Sequence, residues 1–159
     1  MRAHVLSLIV VVLAACAPDP TSPVPITRDA LVGTWELERP GDEVYNLMLF
    51  DSGIVAFIHA NEKLPISLSF GRWSFDEGTL DLHIVGTQPE EQTFPLANRI
   101  IVMRDGTKLA FDLDGTPTRW SPKDRYGAAR DGAAERAAND ERSWASQVEA
   151  AEKSATGEL

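Results

Sequence analysis

The chain has 159 residues, 43% hydrophobic and 25% charged, which suits one ordinary globular domain and argues against wholesale disorder. Its formal net charge of −9, with no Lys/Arg-rich run, excludes nucleic-acid binding, because that affinity comes from cations neutralising phosphates. The single cysteine, Cys16, excludes an internal disulfide, a CxxC metal site and a redox pair.

The chain opens MRAHVLSLIVVVLAAC. A positive start at Arg2, an apolar run from Val5 to Leu13 and the small residues Ala14 and Ala15 follow the order of a secretory signal. The apolar run is about half the ~20 residues needed to span a bilayer as a helix. Leu13-Ala14-Ala15-Cys16 resembles the lipobox of bacterial lipoproteins. That resemblance implies cleavage between Ala15 and Cys16 and acylation of Cys16 with palmitate-type chains. Two or more such chains hold a protein stably on a membrane, since each buried methylene contributes ~0.8 kcal/mol. In Gram-negative lipoproteins, Ala17 rather than Asp after the cysteine implies the periplasmic face of the outer membrane. The expected layout is a signal peptide (1–15), a lipidated tether (16–27), a folded domain (28–122) and a tail (123–159). Pro18, Pro20, Pro23 and Pro25 make the tether an extended spacer at ~3.1 Å per residue.

Short strands punctuated by turns follow. Leu31 to Glu38 carries Val32, Thr34, Trp35 and Leu37, all suited to a half-buried pleated surface. Val44 to Phe50 is strongly apolar, Asp51-Ser52-Gly53 turns the chain, and Ile54 to His59 runs back. Ile66 to Phe75 holds Gly71 in its middle, where a bulge or bend is expected. After Asp76-Glu77-Gly78, Thr79 to Val85 alternates, with Leu80, Leu82 and Ile84 on one face and Asp81 and His83 on the other. Phe94 to Arg104, Thr107 to Leu113 and Thr116 to Ser121 complete the set, separated by Asp105-Gly106 and Asp114-Gly115.

About eight strands joined by short turns, with no amphipathic helix between them, predict an all-β, up-and-down antiparallel meander. Such a sheet removes its own edges by closing into a barrel. Leu31-Val32-Gly33-Thr34-Trp35 resembles the opening G-x-W strand of the lipocalin-like families. Phe50-Asp51-Ser52-Gly53, Gly71-Arg72-Trp73-Ser74-Phe75 and Thr79-Leu80-Asp81-Leu82 follow in the order seen in small bacterial lipocalin-like domains. The resemblance covers roughly residues 29 to 121. It implies a barrel marked by Gly33 and Trp35, with Arg119 as the arginine packed on that tryptophan. It also implies a small apolar or amphipathic ligand, for which Tyr45, Leu47, Phe57, Phe70 and Phe111 are the candidate lining residues. The domain is shorter than a full lipocalin, and the sequence offers no clear helix to pack on the barrel.

In the tail, the bulky apolar side chains are Tyr126, Trp144, Val148 and Leu159. Arg136, Asp140, Glu149 and Lys153 offer i,i+4 pairs, but without a broad apolar stripe the expectation is disorder or a marginal helix. If helical, the tail would present Trp144 and Val148 to an envelope protein. No motif points to catalysis, a metal or a cofactor. His59 and His83 lack metal-ligand spacing, Ser52 and Ser74 lie outside any G-x-S-x-G, and Asp81 with Asp112 is an unspecific carboxylate pair. Two readings therefore stand: a lipid-anchored binding module, or a non-catalytic envelope interaction protein (an accessory subunit or inhibitor) with a filled barrel.

Overall fold

The computed structural model describes residues 26–38, 41, 43–61, 63, 65–89, 99–101, 103–105, 108–113, 116–127 and 131–157, with side chains for all of these except 99–101, 103–105 and 111–117. The signal sequence, Cys16 and the proline tether through residue 25 lie outside the described residues, as does Phe94 at the start of the sixth expected strand.

Nine strands form one antiparallel sheet: β1 (Gly33–Leu37), β2 (Val44–Leu49), β3 (Ile54–Ala60), β4 (Ser67–Asp76), β5 (Thr79–Gln88), β6 (Arg99–Ile101), β7 (Met103–Asp105), β8 (Lys108–Leu113) and β9 (Thr116–Pro122). The spatial order is β6-β5-β4-β3-β2-β1-β9-β8-β7, and every ladder is antiparallel. Among the described residues no ladder joins β6 to β7. The two margins are nonetheless consecutive in the chain, with Val102 alone between them, and β6 lies close to β8 in space.

Alternation divides the sheet into two apolar faces. The inner face carries Trp35, Leu37, Tyr45, Leu47, Leu49, Val55, Phe57, Trp73, Leu80, Leu82, Leu109 and Trp120, all buried in one cluster with Leu31. The outer face over β2–β5 carries Met48, Ile54, Ala56 and Phe70. This second face is apolar because it too is covered.

The cover is α1 (Ala133–Thr156), a helix in the segment whose sequence predicts disorder or marginal helicity. Its buried side chains are Trp144 and Val148, one turn apart, and they pack on the outer face together with Ala145 and Ala151. The residues offered by the sequence to another protein therefore bind the chain's own sheet. Two bulky groups flanked by alanines suffice because small side chains bring the helix axis close to the sheet. The helix ends at Gly157 in the left-handed conformation, whose N–H reaches the carbonyls of Lys153 and Ser154.

Ion pairs hold the helix at its margins. Arg72 on β4 meets Glu152 through two parallel bonds, Nε–Oε1 at 2.7 Å and Nη2–Oε2 at 2.8 Å. Arg136 does not pair with Asp140 as its spacing suggests. It donates to the carbonyls of Tyr126 and Asp131, while Asp140 accepts from Tyr126 Oη at 3.1 Å. The Arg72 hydrogen bonds hold the Glu152 carboxyl below its ordinary range. A depressed carboxylate pKa stabilises the fold above the unfolded-state value and loses that contribution as pH falls through the folded value. Urea titrations from pH 7 to pH 3 should therefore show a steeper acid-side loss in the wild type than in Glu152→Gln. Both side chains are partly exposed, so the difference at pH 7 stays under about 1 kcal/mol.

Candidate functional site

The two ends of the sheet differ. At one end lie the tight turns, Asp51–Gly53 between β2 and β3 and Glu77–Gly78 between β4 and β5, together with the turn over Thr27–Leu31 that precedes β1. At the other lie the longer β1–β2 and β3–β4 connections and the chain leaving β5.

The turn end is sealed by tryptophans whose polar atoms are tied to backbone. Trp35 Nε1–H donates to the Leu31 carbonyl at 2.8 Å, and Leu31 is fully buried beneath it. Trp73 Nε1–H donates to the Phe50 carbonyl at 2.8 Å. Gly33 enters β1 at φ +142°, a conformation that side chains rarely adopt, and so sets the approach of Trp35. Arg28 lies over the Trp73 ring, 4.6 Å from its centroid, and bonds Asp51 in the adjacent turn. The arginine packed on a tryptophan is therefore Arg28, on Trp73. Arg119 does not fill that place: its neighbour Trp120 faces inward, and alternation along β9 puts Arg119 on the exposed outer side.

Toward the other end the inner face changes character. Register places Leu47, Phe57, Ser69 and Thr87 in one row, and Tyr45, His59 and Ser67 in the next row outward. Tyr45 stacks on His59 with ring centroids 4.3 Å apart and planes within 3°, and Tyr45 Oη donates to Glu43 at 3.0 Å. The buried Ser69 Oγ lies 3.3 Å from Thr87 Oγ1. Phe57 sits 6.0 Å from Tyr45 and 6.5 Å from Trp120, so the aromatic lining runs continuously from rim to floor. His59 Nε2 is buried and has no hydrogen-bond partner among the described residues.

Of the five candidate lining residues, Tyr45, Leu47 and Phe57 share this inner face. Phe70 does not: it lies on the outer face, its ring 6.1 Å from Trp144, and the inward positions beside it belong to Ser69 and Gly71. The side chain of Phe111 lies outside the described residues. Ser67, Ser69 and Thr87 escaped the sequence reading, although the period-2 pattern of Ser67-Leu68-Ser69-Phe70 carries the signal once its phase is known. His83 points to the exposed outer side, away from His59. Among the described residues, no three His, Cys, Asp or Glu side chains converge to hold a metal ion.

On the outer face of β1, β8 and β9, Glu38 takes Lys108 and Ser121, and Glu36 takes Lys123. The hydrogen bonds from Lys108 and then Ser121 lower the Glu38 pKa. These pairs are exposed and matched in sign, and they belong to a solvated surface. In comparisons with protein-family models, curated proteins and solved structures, nothing matches the chain.

Proposed function

We propose that the chain is a lipid-anchored envelope protein whose sheet closes as a small lipocalin-like barrel and holds an apolar or amphipathic molecule at its open end. One observation carries the reading: the inner face grades from a tryptophan-sealed apolar end to a polar end where His59 Nε2 is buried without a partner. A buried polar group left unpaired costs about 1–3 kcal/mol. A guest that supplies the missing bond would recover that cost.

Closure is supported by chain continuity. If residues 99–105 act as one strand, its first half serves β5 and its second half serves β8, and the sheet has no free edge. The anchor is Cys16. Ile26, the first described residue, packs against the inner cluster, and Arg28 is pinned at the turn end. The tether thus meets the domain at its sealed end, and the open end faces away from the bilayer that holds Cys16. A guest would arrive from the aqueous side. The reading is of a binding module, with no catalytic step.

A second reading, an envelope interaction protein with a solid interior, draws on Trp35, Phe57, Trp73 and Trp120, which occupy much of the inner face. One preparation separates the two. Native mass spectrometry of the protein extracted from its own membranes should show a co-purifying small molecule that organic solvent releases. A homogeneous apo mass in every preparation favours the solid interior. In the same cells, Cys16→Ser should move the protein from the membrane to the soluble fraction, and palmitate label should vanish. Persistent membrane retention of that variant sinks the anchor.

A further inference from the structure

We propose that the open end recognises a hydroxyl-headed amphiphile, such as a long-chain alcohol or monoacylglycerol, with its hydroxyl on His59 Nε2 and its chain directed along Leu47 and Phe57. This rests on the binding reading above and names the class of guest.

The imidazole is held, not loose. Stacking on Tyr45 fixes its plane, and Tyr45 is itself tied through its hydroxyl to Glu43. Nε2 therefore has a set direction and a vacant bond. Ser67 lies directly across the ladder from His59, and Ser69 with Thr87 occupies the next row inward. A polar band thus sits above an apolar shaft formed by Leu47, Phe57 and Trp120. That profile fits a molecule with one small polar head and a long apolar body.

The head is uncharged for two reasons. A hydroxyl both donates and accepts, so it satisfies Nε2 in either tautomer of the neutral ring, whereas a carboxylate meets only the protonated nitrogen. The rim is also acidic: Glu38 and Glu43 lie in the described part of the β1–β2 connection, and Lys63, in the β3–β4 connection, is exposed. In a chain of net charge −9, an anionic head would meet a repelling field.

The test uses the full chain carrying Cys16→Ser, so that no detergent competes, and three probes of equal length: dodecane, 1-dodecanol and dodecanoate. Displacement of a fluorescent apolar dye should rank 1-dodecanol about tenfold tighter than either of the others. His59→Phe, which keeps an aromatic ring against Tyr45, should remove that tenfold advantage and leave dodecane unchanged. In the unsubstituted ring, the ¹⁵N resonance of His59 Nε2 should shift with 1-dodecanol and stay fixed with dodecane, a readout that does not depend on the variant folding. Equal affinity for dodecane and 1-dodecanol, or a preference for dodecanoate, overturns the hydroxyl assignment while leaving the binding reading intact. Failure of every probe to displace the dye overturns both.

Discussion

Trp144→Ala should lower the stability of the folded chain by about 3–5 kcal/mol, a large share of the 5–15 kcal/mol that holds a typical domain together. The indole is buried on the outer face of the sheet, beside Phe70 and one turn from the fully buried Val148. These two side chains are the bulky part of the helix–sheet contact; the partly buried Ala145 and Ala151 add little area of their own. A helix rich in Ala, Glu and Arg gains most of its stability in a protein from docking. Losing the tryptophan should therefore release α1 as well as open a cavity. Met48, Ile54, Ala56 and Phe70 would then face water as one apolar patch, which favours self-association. Urea unfolding followed at 222 nm should show an early loss of helix signal, and size exclusion should show dimers or larger species. A loss below about 1 kcal/mol, with helix and sheet still melting together, would mean that the contact is held by other groups.

That helix also explains where the sequence misleads. The strands are legible because alternation and Gly-bearing turns are local signals: Ile54 to His59 is expected and Ile54–Ala60 is observed, and Thr116 to Ser121 becomes Thr116–Pro122. The phase of β4 is not local. A phenylalanine in a sheet with one solvated side must face inward, and on that premise Phe70 lines the interior. Once α1 covers the outer side, both faces accept apolar residues, and Ser67 and Ser69 can hold the inward positions. One missed helix thus moves a phenylalanine outward and hides the polar half of the candidate site. The tail itself was illegible for an energetic reason: counting bulky side chains undervalues Ala145 and Ala151, whose smallness permits close approach. His59 was visible as a residue, but its pairing with Tyr45 depends on the β2–β3 register, which places the two directly opposite.

Gly71→Ala should be the most damaging single-methyl addition in the sheet, costing at least about 3 kcal/mol, the upper end of what overpacking produces. The reason is the bulge, which the sequence does signal. Phe70 pairs with Gly86 and Gly71 pairs with Ile84, leaving Val85 as the extra residue on β5. This lets the ladder switch faces, so that Leu80, Leu82 and Ile84 stay with the inner cluster while Val85 joins the cover beneath α1. It also drives β5 against Gly71: a Cβ there would stand 2.0 Å from the His83 carbonyl oxygen and 2.8 Å from Ile84 Cα. Both are backbone atoms of the neighbouring strand, so relief requires parting β4 from β5. Gly86 makes a useful contrast, because its added Cβ would meet the Phe70 ring, with Cζ at 2.4 Å. A ring can be shortened. Gly86→Ala combined with Phe70→Leu should therefore recover part of the stability lost in Gly86→Ala alone, whereas no side-chain change should rescue Gly71→Ala. Urea unfolding of the four proteins checks this, and a Gly71→Ala chain within about 1 kcal/mol of wild type would show that the two strands yield where the bulge presses them together.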